Sequence, residues 1–183
     1  MASASPRRQE LLRQIGVEFE VVAPHVDESP LLGEKPADLV KRLALAKAQS
    51  VATKQGRGIV LGVDTVVVLD GAMLGKPANA AEACAMLRRL SGRTHTVYTG
   101  FALINAGSGK MINSCETADV TFKQLRDEEI AAYVATGSPL DKAGAYGIQN
   151  DLSAAFIKKI SGDINTVIGL PIESILKALQ QMV

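Results

Sequence analysis

The sequence predicts a mixed α/β fold, an extended and partly antiparallel sheet flanked by helices. Segments with apolar residues at helical spacing alternate with runs of β-branched residues. Hairpin signals then join several of those runs in pairs, which a purely doubly wound sheet would not show. No low-complexity linker or internal repeat divides the 183 residues, so residues 1–183 read as one domain.

The elements follow in order. Ser5-Pro6 reads as an N-cap with proline at the first helical position, and Leu11, Leu12 and Ile15 give a stripe that ends at Gly16. Val17 to Val22 alternates like a half-buried strand, and Pro24 to Lys35 is a polar, turn-rich loop carrying Asp27 and Glu28. From Pro36 a long helix is marked by Leu39, Val40, Leu43, Ala44 and Ala48, contains Lys47, and stops by Gly56. Ile59 to Leu69 is almost wholly apolar, so it reads as a buried strand that turns back through Asp70-Gly71 into Ala72 to Leu74.

A helix over Asn79 to Leu90, capped by Asn79 and stopped by Gly92, comes next. Thr94 to Ile104 and Met111 to Phe122 flank the Gly-Ser-Gly turn at 107–109 and predict a long hairpin. Asp127 to Val134 is helical up to Gly137, Ala154 to Ile160 is a strand, and Pro171 opens a final amphipathic helix through Ile172, Ile175, Leu176 and Leu179.

Composition narrows the function classes. With 47% apolar and 21% charged residues and a mean hydropathy of +0.14, the chain can bury roughly 70% of its unfolded surface. Its 20 Lys and Arg against 19 Asp and Glu supply no global field for a nucleic-acid polymer, so an anionic ligand must be met locally. Four Phe, three Tyr and no Trp make a poor base-stacking platform. Cys84 and Cys115 lack CxxC spacing, and the longest apolar stretch is broken by Asp64, so a cytoplasmic chain with no membrane partner is expected.

Four segments carry groups that could do chemistry. Asp64 places a carboxylate in an otherwise apolar strand, where an unpaired charge is costly. Two readings stand: an Asp hydrogen-bonded to backbone or Thr65, or a carboxylate placed for catalysis or metal binding, toward which the close approach allowed by Gly62 tips the balance. Ser3-Ala4-Ser5-Pro6-Arg7-Arg8 sets hydroxyls and guanidinium groups around a helix N-terminus, either a phosphate cradle or an ordinary capped helix. Asp141 to Gln149 combines an acid, a base, two glycines and an amide without periodicity, as a ligand loop or a structural turn would. Gly75-Lys76-Pro77 is no complete phosphate loop, although Lys76 stays a candidate for a phosphate. His25 and His95 have no metal-site spacing, and the GxSxG and GxGxxG signatures are lacking.

Taken together, Ser3 to Arg8, Val26-Asp27-Glu28, Ala46-Lys47-Ala48, Asp64-Thr65-Val66-Val67, Gly75-Lys76-Pro77, Ser91 to His95, Asp141 to Gly144 and Gly169-Leu170-Pro171 resemble the Maf family, in that order and over nearly the whole chain. The resemblance implies two lobes around a cleft, similar to the inosine triphosphate pyrophosphatases. It implies metal-dependent hydrolysis of a nucleoside triphosphate, with Mg²⁺ or Mn²⁺ as the cation. On the family pattern Asp64 activates water, Glu28 shares the metal with Asp64, and Lys47 joins the catalytic set. Ser5, Arg7, Arg8, Thr65, Lys76, Asp141, Lys142 and Gln149 are the implied substrate contacts.

Arg7, Thr65 and Gln149 match the branch of the family that acts on dTTP and UTP, and an amide such as Gln149 suits a pyrimidine edge. The family is also associated with inhibition of septum formation, so a nucleotide-binding regulator without turnover is the alternative, and a homodimer is compatible with either. Three departures accompany the resemblance. The apolar strand usual before Ser-x-Ser-Pro is lacking, Ser138 stands where Glu is frequent, and Asn150 stands where Gly is usual.

Overall fold

The computed structural model describes residues 1–149 and 151–182. Its elements are the helices α1 (Pro6–Gln14), α2 (Pro36–Ala52), α3 (Ala80–Leu90), α4 (Asp127–Ala135), α5 (Asp151–Ala154), α6 (Ile164–Ile168) and α7 (Ile172–Met182). The strands are β1 (Ile59–Leu69), β2 (Ala72–Leu74), β3 (Thr94–Asn105), β4 (Met111–Phe122) and β5 (Ile157–Ser161). The strands form one sheet in the order β2-β1-β3-β4-β5. β2 pairs antiparallel with β1, and β5 antiparallel with β4, with a register shift between Thr121 and Phe122. An isolated parallel bridge outside these strands joins Ala2 to Gly62, and the α/β class with a helix-flanked open sheet is as predicted.

The chain divides into two compact units. The first comprises Met1–Thr65, Thr99–Glu116 and Gly169–Val183, and the second Val66–Tyr98 and Thr117–Ile168. β1, β3 and β4 each contribute residues to both.

In the first unit the core is built from small side chains. Ala2, Ala44, Ala48 and Ala102 are fully buried beside Val51, Val60 and Ile104. Gly62 and Gly100 extend the same economy: a Cβ on Gly62 would meet the carbonyl of Ala44 and stand 2.7 Å from the amide of Ala48, and one on Gly100 would meet the carbonyl of Val40. Helix α2 thus lies almost backbone to backbone on β1 and β3, which only residues without a side chain permit.

The second unit has an aromatic core. His95, Phe122, Tyr146, Phe156 and Tyr133 form successive edge-to-face pairs with centroids 4.8–6.2 Å apart. Leu69, Leu87, Leu90 and Ile130 pack around them. Tyr98, at the end of this unit's share of β3, is half-buried, so all three tyrosines of the chain belong to the second unit.

Two expectations are corrected. Val17 to Val22 forms no strand, because its ladder is limited to contacts with Met1: the Val22 amide donates to the Met1 carbonyl at 3.0 Å and the Met1 amine to the Glu20 carbonyl at 2.6 Å. The strand placed at Ala154 starts only at Ile157, since Asp151–Ala154 takes a helical turn in which the Ser153 hydroxyl donates to the Gly147 carbonyl. Helix α6 was not foreseen, being only five residues long and too short to show a period. Ahead of α1, the Ala2 amide donates to the Leu61 carbonyl at 2.7 Å.

Candidate functional site

The first unit brings Asp64, Lys47 and Glu28 together around one ammonium group. Lys47 occupies a position on the apolar stripe of α2, between Ala44 and Ala48, so the helix that packs flush on β1 carries its ammonium into the interior. Lys47 Nζ donates to Asp64 Oδ1 at 2.6 Å and lies 2.9 Å from Glu28 Oε1. The side chains of Lys47 and Asp64 are 7% and 11% exposed, whereas that of Glu28 is 50% exposed, so two-thirds of the triad is withdrawn from water. Burial pushes the Asp64 carboxyl above the usual carboxylate range, and Lys47 and then Arg8 pull against it.

Arg8 stands on the first turn of α1. Its Nε donates to the Gly169 carbonyl at 2.8 Å, its Nη1 to the Val63 carbonyl at 3.0 Å, and its Nη2 to Thr65 Oγ1 at 3.0 Å. Thr65 Oγ1 is also 3.0 Å from Thr99 Oγ1, across from β1 to β3. Burial lowers the Arg8 guanidinium to about 10, partly offset by Asp64, so it remains a cation at neutral pH. Ser5 caps α1 by backbone geometry alone; its amide donates to Ser3 Oγ at 3.2 Å and its hydroxyl makes no capping bond. Arg7 is half-buried beside it.

Lys76, Asp141, Lys142 and Gln149 belong to the second unit. Lys142, buried, donates to Asp141 Oδ1 at 2.6 Å and to Ser138 Oγ at 3.0 Å. The aperiodic segment Asp141 to Gln149 contains one 3₁₀ turn, Ala143–Ala145, and begins at the end of another, Ser138–Asp141. Gly144 has φ 67° and Ala145 φ 63°; the latter is a left-handed residue with a side chain, a local strain the surrounding packing must hold. The Gly144 amide donates to the Gly75 carbonyl at 3.0 Å, which ties the Lys76 segment to this loop. Lys76 and Gln149 are exposed, and Asn150 lies outside the described residues.

Sequence reasoning missed several participants. Thr99 and the Gly169 carbonyl complete the Arg8 network 34 and 161 residues from their partners; nothing local announces Thr99, and Gly169 stood out only as part of the Gly169-Leu170-Pro171 motif, without a role. His95 Nε2 is 2.7 Å from Tyr146 Oη, and burial lowers the imidazole to about 4, so the ring is neutral. His95 Nδ1 and Tyr133 Oη have no hydrogen-bond partner among the described residues.

The first unit therefore holds two carboxylates, an ammonium and a guanidinium, a combination suited to proton transfer beside an anion. No group of three or more His, Cys, Asp or Glu among the described residues could hold a metal by itself. No helix among them is long and apolar enough to cross a membrane.

Comparison with known proteins agrees over the full length. The family description "Maf-like protein" matches residues 1–182. A Symbiobacterium thermophilum protein is 53% identical over 181 residues, covering 99% of this chain and 92% of its own. One from Geotalea uraniireducens is 51% identical over 182 residues, covering 100% and 93%, and one from Bacillus cytotoxicus 50% identical over 181, covering 99% and 93%. All three bear the name dTTP/UTP pyrophosphatase.

Proposed function

The chain belongs to the Maf-like family, and on that premise we propose that it is a nucleoside triphosphate pyrophosphatase acting on dTTP and UTP. The observation that carries the reading is the Lys47 ammonium held 2.6 Å from buried Asp64 and 2.9 Å from Glu28. The names of relatives about half identical over the whole chain supply the substrate class.

In the proposed reaction a water oxygen attacks the α-phosphorus. A P–O bond forms, the P–O bond to the bridging oxygen breaks, and pyrophosphate leaves with its electron pair while the water proton passes to Asp64. Asp64 must be ionised to accept that proton. Its burial makes it a stronger base than a free aspartate, and Lys47 keeps it charged and oriented. The rate is thus expected to rise with pH through the elevated pKa of Asp64. Arg8, tied to both Val63 and Gly169, fixes the strand segment that carries Asp64 and lends positive charge toward phosphate.

A divalent cation fits the donor set. Both carboxylates reach the Lys47 ammonium, Asp64 at 2.6 Å and Glu28 at 2.9 Å, and a cation shared by two such oxygen donors would take its remaining coordination from phosphate and water, as Mg²⁺ prefers. Asp64 and Glu28 would hold it, and when bound it would neutralise charge on the phosphoryl oxygens. Arg7, Ser5, Thr65, Lys76, Asp141, Lys142 and Gln149 carry over as proposed nucleotide contacts, with Gln149 facing the pyrimidine. We place the activity in the cytoplasm, where Cys84 and Cys115 stay free thiols.

Purified protein with Mg²⁺ or Mn²⁺ is expected to release pyrophosphate from dTTP and UTP faster than from ATP and GTP. Asp64→Asn is expected to lower kcat by about 10²–10⁴-fold. Equal turnover of purine triphosphates would remove the substrate assignment, and an unimpaired Asp64→Asn enzyme would remove the mechanism.

A further inference from the structure

Glu28 is the one member of the triad that no helix or strand positions. It lies on the loop between α1 and α2, and half of its side chain faces solvent. A mobile carboxylate there would meet Lys47 only part of the time, yet the loop that follows it is held at two points by a single residue. Arg42, five residues before Lys47 on α2, donates from Nε to Glu34 Oε1 at 2.6 Å and from Nη2 to Glu34 Oε2 at 2.7 Å, a two-pronged pair. The same Nη2 donates to the Ser29 carbonyl at 3.1 Å. Glu34 Oε2 also accepts the Leu31 amide at 3.0 Å, and Asp27 Oδ1 accepts the Ser29 amide at 2.9 Å.

We infer that Arg42 is a positioning residue: by clamping Ser29 and Glu34 it holds the 27–34 loop so that the Glu28 carboxylate reaches Lys47 and Asp64. Both contacts lie just after Glu28 in the chain, one at the very next residue and the other at the loop's far end. The Glu34 carboxylate is only 8% exposed, and the Arg42 fork holds it down to about 2, so the clamp stays ionised throughout the physiological range. Helix α2 therefore supplies both the ammonium that Glu28 meets and the guanidinium that brings Glu28 to it. Leu31 and Leu32 at the loop tip, 60% and 107% exposed, contribute no apolar anchoring that could replace the clamp.

This inference rests on the proposed role of Glu28 in hydrolysis. The full-length protein would be compared with Arg42→Ala, Arg42→Lys, Glu34→Gln, Glu28→Gln and the Arg42→Ala/Glu28→Gln double variant, with dTTP and Mg²⁺ as substrate and cation. Arg42→Ala and Glu34→Gln are expected to lower kcat by about 10- to 100-fold while KM changes by less than about twofold, and Arg42→Lys to recover part of the loss. In the Glu28→Gln background, Arg42→Ala is expected to change kcat by less than about twofold. The same loss in both backgrounds, or none in Arg42→Ala alone, would overturn the inference. If Glu28→Gln leaves kcat intact, the role of Glu28 fails and the positioning role fails with it. If the wild type hydrolyses no nucleoside triphosphate, only the proposed function falls, and amide exchange decides the clamp. About tenfold faster exchange at Ser29 and Leu31 in Arg42→Ala and Glu34→Gln would then support it, and unchanged exchange would overturn it.

Discussion

Asp64 and His95 show how one strand environment treats two titratable groups. Both are buried, and each is driven toward its neutral form: the Asp64 carboxyl upward, the His95 imidazole down to about 4. For His95 the sign is definite. The unfolded chain protonates near 6.5 and the folded one only near 4, so the stabilisation is present above 6.5 and is lost as pH falls toward 4. At 2% exposure the whole effect is on the order of 3 kcal/mol. Urea unfolding at pH 7 and pH 4.5 is expected to show the wild type losing about 2 kcal/mol more than His95→Gln over that interval; equal losses would mean that the imidazole is not held neutral. Asp64 was legible in the sequence because a lone carboxylate in an apolar strand demands a partner. Lys47 was singled out only by the family resemblance, since the helical stripe was read from the apolar residues around it. The His95–Tyr146 pair was not, since 51 residues separate two groups that are individually unremarkable.

At the scale of elements, the contact of α2 with β1 and β3 sets the reach of Lys47. A methyl group at position 62 would have to displace backbone of α2 at Ala44 and Ala48, and the helix that moved would carry Lys47 away from Asp64. Gly62→Ala is therefore expected to cost about 3 kcal/mol in urea unfolding and to depress kcat, whereas Gly107→Ala, whose nearest contact would be 3.5 Å from a side-chain oxygen, should stay within about 0.5 kcal/mol. Similar costs for the two would show that α2 can shift freely. Strong local signals placed β1, β2, α3 and α7 close to their observed bounds. The Asp70-Gly71 turn, with φ 52° and 78°, has the geometry that its dipeptide predicts. Val17 to Val22 takes no strand despite its alternation, because alternation marks a face to bury but not a partner to pair with; its bonds to Met1 form no ladder.

At the scale of the molecule, no linker was visible because each unit is assembled from separated stretches of chain, with β1, β3 and β4 passing through both. No change in composition marks the borders between these stretches. Strands shared in this way should make unfolding a single transition. Cys84 in the second unit and Cys115 in the first, both half-buried, test this directly. Pulsed alkylation across a urea gradient is expected to give both thiols the same midpoint within about 0.3 M, at an m-value of about 2 kcal/mol/M; two distinct midpoints would mean that the units unfold separately. The tyrosines have a different use. With no tryptophan in the chain and Tyr98, Tyr133 and Tyr146 all in the second unit, ultraviolet emission is a built-in optical label for that unit alone. The first unit, with Asp64, Lys47 and Glu28, is spectroscopically dark, so any quenching seen on adding a nucleotide would originate around the half of the chain that carries Lys76 and Gln149.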